Sequence, residues 1–125
     1  MSFPAHLLRL ALWLSLALTL PRTAAAAPSP AQLETLRQVA GVLDYVGGDY
    51  RGAVQADGTI LDAGECAEQR ALADDASALL DRVGLGAGDP PQTRLQTLKA
   101  ALAARASPAA VEALCQAARE DIVRV

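Results

Sequence analysis

The first 26 residues predict a secretory leader, which limits what the rest of the chain can fold into. A basic residue, Arg9, precedes a predominantly apolar run over residues 10–20, and Pro21 ends that run. The run falls short of the ~20 residues that span a bilayer. A short basic start, an apolar middle and a polar end are typical of a signal peptide, with an uncleaved anchor as the alternative.

The predicted cleavage site fixes the size of the remaining domain. Small residues follow the apolar run, as a signal peptidase requires at −1 and −3, and cleavage is expected after Ala25 or Ala26. We therefore predict a signal peptide over residues 1–26 and one folded domain over 27–125, about 99 residues long. A domain of this size buries a modest core, and no further apolar run in it is long enough to cross a membrane.

The composition of the predicted domain excludes several classes of function. All 14 acidic residues lie in it, whereas two of the 11 basic residues, Arg9 and Arg22, belong to the leader. This acidic excess argues against nucleic acid and anionic membrane surfaces as partners. The only histidine, His6, is in the leader, so the domain has no imidazole for nucleophilic catalysis, for a zinc site or for a haem. We expect no enzyme and no haem in this chain.

The two cysteines, Cys66 and Cys115, leave two possibilities open. An even number of cysteines in a secreted chain allows a disulfide. Such a bridge would close a loop of about 50 residues and would stabilise the fold by roughly 4 kcal/mol. The alternative is a pair of free, buried thiols that pack as small apolar side chains. We favour free thiols, because nothing in the sequence brings the two residues together.

Apolar residues recur at steps of three and four in four segments, which predicts four helices. Proline and serine mark helix starts, and glycines mark helix ends. The second helix is expected to bury Leu72, Ala76, Leu79, Leu80 and Val83. In chain order, the predicted helices run from Pro30 to Gly47-Gly48, from Asp62 to Val83, over residues 92–105, and from Pro108 onward.

A turn signal separates the first two helices. Asp57-Gly58 lies between two short β-prone pieces and predicts a hairpin over residues 52–61. The fold class is therefore all-α: a small bundle of about four helices with a short β-hairpin-like segment, after a signal peptide. Residues 120–125 carry no glycine, proline or polar tail, from which we expect the chain to continue beyond them.

An Asp-Tyr dipeptide occurs twice and contains both tyrosines of the chain. Carboxylate and phenolate oxygens suit a hard cation such as ferric iron, and glutamates on the next helix could add further oxygens. The alternative is that the tyrosines are core anchors with hydrogen-bonded hydroxyls and that the aspartates cap a helix end or a turn. The candidate metal ligands are Asp44, Tyr45, Asp49, Tyr50, Glu65 and Glu68.

The segment around these dipeptides resembles a known family. The string Leu-Asp-Tyr-Val-Gly-Gly-Asp-Tyr-Arg-Gly-Ala-Val at 43–54, then Asp57-Gly58, then Glu-Cys-Ala-Glu-Gln at 65–69 resembles the periplasmic amino-terminal extension of bacterial Ftr-type high-affinity iron permeases. These are often described as cytochrome c and iron permease fusion proteins. The resemblance runs from Pro30 to Val125. It implies a helical periplasmic domain that works beside iron permease and cytochrome c segments, fused or separate.

The chain also departs from that family. It lacks the Cys-x-x-Cys-His motif that attaches haem, and it has no transmembrane helix after the leader. The permease motif Arg-Glu-x-x-Glu is absent, because Arg119-Glu120 is followed by Val123 where the second glutamate is needed. The chain as it stands is therefore expected neither to transport iron nor to pass electrons through a haem.

The sequence thus predicts a periplasmic accessory domain of a high-affinity iron-uptake system, which binds or senses iron or docks the permease. Two alternatives stay open. The first is a structural protein-interaction module without metal. The second is a periplasmic thiol or redox protein that uses Cys66 and Cys115, which lack the Cys-x-x-Cys spacing usual for that chemistry.

Overall fold

The computed structural model of the protein describes residues 27–125, and the predicted signal peptide lies outside this range. It contains four helices, which confirms the predicted all-α bundle. A 3₁₀ turn over Tyr50–Gly52 follows the first helix directly. None of the helices within 27–125 has the length and apolar character needed to cross a membrane. The helices are α1 (Pro30–Asp49), α2 (Ala63–Arg82), α3 (Pro90–Ala103) and α4 (Pro108–Val123).

Side chains that satisfy free backbone N–H groups fix three of the helix starts. Ser29 and Gln32 form a reciprocal capping box at α1, in which each side chain accepts from the other residue's backbone. Asp62 and Ser107 accept hydrogen bonds from the backbone three residues further on. Proline occupies the first turn of α1, α3 and α4, where it has no helical hydrogen bond to lose. Pro90 begins α3, two residues before the start that the sequence predicts.

Each helix packs against two neighbours. α1 contacts α2 and α4, and α3 contacts the same two, so that α1 and α3 lie at opposite corners of the bundle. Leu95, Leu98 and Leu102 of α3 are buried, at the spacing of three and four residues that is typical of one helix face. Fully buried side chains from all four helices form one core. Its largest apolar members are Leu43, Tyr50, Leu80, Leu95 and Leu98.

The glycine pair in α1 does not end the helix, contrary to the sequence prediction. The helix continues through Gly47 and Gly48 to Asp49. A Cβ atom on Gly47 would lie 3.3 Å from the Cβ of Cys115, whereas one on Gly48 would meet nothing within 4 Å. The absence of a side chain at Gly47 therefore allows α1 to pack closely against α4.

The hairpin predicted over residues 52–61 is reduced to a single antiparallel bridge between Val54 and Ile60. The part of the chain that the structure describes contains no strand. The turn itself is present: the Thr59 backbone N–H donates to the Asp57 carboxylate at 2.9 Å, and Gly58 has a φ of +86°. Two pieces this short do not sustain a ladder. Ala53 and Val54 of the first piece are buried in the core, whereas Ile60 and Leu61 of the second are exposed.

The inward face of α2 differs from the predicted one. Leu72, Leu79 and Val83 are only half-buried, and the fully buried set consists of Gln69, Ala73, Ala76, Ser77 and Leu80. The small residues let neighbouring helices approach α2 closely. The two buried polar residues need hydrogen-bond partners. Ser77 has them, whereas the Gln69 amide has none among residues 27–125.

A polar network joins α2 to α3. The Ser77 hydroxyl donates to Gln92 Oε1 at 2.8 Å, and Gln92 Nε2 donates to Asp81 Oδ1 at 2.9 Å. Gln96 Nε2 donates in turn to the Ser77 hydroxyl at 3.2 Å. Because a buried polar atom is costly without a partner, this network defines the relative position of the two helices.

Candidate functional site

The structure places Tyr50 apart from the other candidate ligands. Its side chain is 1% exposed, and its hydroxyl donates to the Ala106 carbonyl at 2.7 Å, across the bundle end. Burial raises the pKa of this phenol, the nearby Cys66 adds to that rise, and Arg105 opposes it. Tyr50 is therefore arranged as a core anchor, which is the alternative that the sequence left open.

Asp44 faces a different side of α1. Its carboxylate accepts from Arg119 Nη1 at 2.7 Å, an ion pair that joins α1 to α4. The pair borders a groove of about 250 Å³ between these helices, with Gly47, Cys115 and Glu112 in its lining. Asp44 thus has a cationic partner and does not join the remaining candidates.

The other four candidates form what we call the Tyr45 surface: Tyr45 and Asp49 on α1, and Glu65 and Glu68 on α2. Tyr45 is 43% exposed. Hydrogen bonding to Asp49 raises the pKa of its phenol most, and the negative charges of Glu68, Asp49 and Glu65 raise it further. The three carboxylates form no ion pair with any residue in 27–125. The surface therefore combines one phenol with three negative charges that lack a cation.

The Tyr45 surface is not a formed metal centre. Within the described chain, no group of three or more His, Cys, Asp or Glu side chains is arranged to hold a metal ion. Its four oxygen-bearing side chains lie on two helices and three are exposed, with Glu65 half-buried. A cation bound here would require these side chains to turn toward one another.

Both cysteines are free thiols. Cys66 is half-buried, with its Sγ 3.5 Å from the Ala53 carbonyl oxygen. Cys115 is buried, and burial, followed by the charges of Asp44 and Glu112, raises the pKa of its thiol to about 12. Because the thiolate is the reactive form, Cys115 is poorly suited to redox chemistry at neutral pH.

The buried thiol leads to a pH-dependent prediction. In the unfolded chain the Cys115 thiol has its ordinary pKa of 9.0, whereas in the folded protein its pKa is raised to about 12. Its contribution to stability is therefore fully present below pH 9 and is lost as the pH rises toward 12. We expect Cys115→Ala to flatten the alkaline loss of unfolding free energy, measured by urea denaturation at several pH values between 8 and 11. Equal slopes in wild type and Cys115→Ala would contradict the prediction.

Sequence reasoning missed two residues that shape this region. Arg119 neutralises Asp44, a pairing 75 positions apart that no local pattern indicates. Gln69 is fully buried in α2, although it is polar. Its spacing of 4, 7 and 11 to Ala73, Ala76 and Leu80 places it on the same helix face, and this signal could have identified it.

Comparisons with protein-family models, with curated proteins and with solved structures find no match to this chain. The resemblance to iron permease extensions therefore stays a prediction from the sequence. What the structure contributes is the division of the six candidate ligands into a buried anchor, an ion-paired aspartate and the Tyr45 surface.

Proposed function

We propose that this chain is a periplasmic accessory domain of a high-affinity iron-uptake system, which binds a hard cation at the Tyr45 surface and does not itself transport it. The observation that carries the proposal is the exposed Tyr45 phenol, whose pKa is raised by Asp49, Glu68 and Glu65. Three carboxylates beside one phenol, with no basic partner among residues 27–125, favour a cation that brings its own positive charge.

The chemistry of the donors favours ferric iron over softer metals. Phenolate and carboxylate are hard oxygen ligands, and the surface contains neither a thiol nor an imidazole. A phenol is protonated at neutral pH at its ordinary pKa of 10.0, and the pKa of Tyr45 is raised further, so binding through the phenolate must release a proton. The affinity for a cation should therefore increase with pH. The proposed partners are iron permease and cytochrome c segments, fused or separate.

Titration with ferric nitrilotriacetate tests this assignment. We expect a visible tyrosinate-to-iron charge-transfer band in the wild-type domain and its loss in Tyr45→Phe. Tyr50→Phe is the matched control, because it removes a phenol that is buried and bonded to Ala106, and it should keep the band. Absence of the band in wild type, or a band that survives Tyr45→Phe, would reject the Tyr45 surface as the binding site.

A structural interaction module without metal is the second candidate function. The observation that favours it is that Tyr50 and Asp44 already have protein partners, so that the six candidate ligands do not converge. On this reading the carboxylates of the Tyr45 surface are a solvated acidic face. A melting temperature that is unchanged in excess ferric nitrilotriacetate supports this candidate, and a rise supports cation binding.

A further inference from the structure

Helix α2 is unevenly anchored along its length. Its second half buries Ala73, Ala76 and Leu80, and Asp74 pairs with Lys99 of α3 at 2.9 Å. Its first six residues, 63–68, contribute no fully buried side chain. Within residues 63–68 only the half-buried Cys66 packs against the core, so most of the packing that holds the helix to the bundle lies beyond them.

Gln69 lies where the two parts of α2 meet. Its side chain is 0% exposed, and neither Nε2 nor Oε1 has a hydrogen-bond partner among residues 27–125. By contrast, the buried polar side chains of Ser77 and Gln92 are hydrogen-bonded to each other. A buried amide without partners destabilises the packed arrangement relative to one in which water reaches it.

We propose that residues 63–69 of α2 form a unit that opens locally, while residues 73–82 stay packed. Opening gives the Gln69 amide access to water and exposes little apolar surface, so this part of the helix should open more readily than the rest. The contacts that hold it closed are few. They include the Asp62 cap, a 3.3 Å hydrogen bond from the Asp62 N–H to the Ala53 carbonyl, and the packing of Cys66 against the core with its Sγ near the same carbonyl.

The opening unit carries half of the Tyr45 surface. Glu65 and Glu68 move with it, whereas Tyr45 and Asp49 stay on α1. A cation held between the two helices would therefore keep the unit closed, and opening would release that cation. This consequence rests on the proposed function; the opening itself does not.

Native-state hydrogen exchange tests the opening. We expect the amides of residues 67–71 to exchange at least about tenfold faster than those of residues 75–80. Gln69→Leu removes the unpaired amide and should slow exchange at 67–71 about tenfold, with Gln69→Met as an unbranched second variant. Gln38→Leu, the same change at an exposed position of α1, should leave these rates unchanged. Equal rates in the two parts of α2, or no slowing in either Gln69 variant, would overturn the proposal.

Thiol labelling and iron provide two further readouts. N-ethylmaleimide should modify Cys66 faster than Cys115, and Gln69→Leu should slow only the reaction at Cys66, since Cys115 lies between α1 and α4. Ferric nitrilotriacetate should slow exchange at 67–71 in the wild-type protein. If the opening is observed and iron does not slow it, the opening stands and the proposed function fails. If residues 67–71 are as protected as 75–80 without iron, the opening fails whatever iron does.

Discussion

Replacing Tyr50 with alanine should lower the free energy of unfolding by about 3–5 kcal/mol, the largest effect expected of a single side chain here. Tyr50 is the largest fully buried side chain, and its hydroxyl joins the end of α1 to the loop before α4. The substitution removes the ring from the core and leaves the Ala106 carbonyl without its donor. Urea denaturation at pH 7, followed by far-UV circular dichroism, measures the loss.

Two variants separate the causes of this effect. Tyr50→Phe keeps the ring and loses only the hydrogen bond, so we expect a loss of about 1–1.5 kcal/mol. Tyr45→Ala is the same change at a residue that is 43% exposed, and it should cost less than about 1 kcal/mol. Similar losses in Tyr45→Ala and Tyr50→Ala would show that the two residues are not placed as described.

A leucine at Gly47 should destabilise the protein by about 2–3 kcal/mol, because it forces α1 away from α4. The Cβ atom alone would approach the Cys115 Cβ to 3.3 Å and the Cys115 Sγ to 3.8 Å, so the start of the side chain is already in tight contact with α4. The midpoint of urea denaturation should fall accordingly.

The neighbouring glycine provides the control. Gly48 lies in the same helix, and a Cβ there meets nothing within 4 Å. Leucine is the better helix former, so Gly48→Leu should raise the unfolding free energy by about 0.5–1 kcal/mol. Opposite signs for the two substitutions are the expected result. A destabilisation shared by both would mean that helix-end effects, rather than contact with α4, explain the glycines.

Local signals in the sequence were sufficient to locate the helices. Ser107-Pro108 and Asp62 mark real helix starts, because capping depends on residues that are neighbours in the chain. The leucines of α3 lie where their spacing predicts. These features are local or periodic, so they can be read without knowing what packs against them.

Features that depend on a distant partner were missed. Gly47-Gly48 has the composition of a helix end, and only the position of Cys115 explains why α1 runs through it. Of the predicted inward face of α2, Ala76 and Leu80 are buried as expected. Leu72, Leu79 and Val83 are only half-buried, and Gln69, Ala73 and Ser77 are buried instead. The periodicity of apolar residues predicts which residues share a helix face. The packing against neighbouring helices determines which residues of that face are buried.

In the candidate site, too, local features could be predicted from the sequence and features that depend on a distant partner could not. Residues five apart are separated by roughly 140° around a helix, so Tyr45 and Tyr50 do not share one helix face. Which of the two is buried could not be predicted from the repeat itself, because both have an aspartate before them. Tyr50 is the buried one, and its hydroxyl donates to the Ala106 carbonyl, which is 56 positions away in the chain.

The antiparallel arrangement of α1 and α4 also determines how the domain would respond to tension. Asp44 meets Arg119, Gly47 meets Cys115, and Arg51 meets Glu112, so the start of α1 and the end of α4 lie toward the same end of the bundle. A force applied between residues 27 and 125 would act on these contacts one after another, in that order, like the opening of a zipper. Helices pulled in this way separate at lower force than helices that slide past each other with all contacts loaded at once. If the domain is tethered at both ends, it would act as a mechanically soft connection.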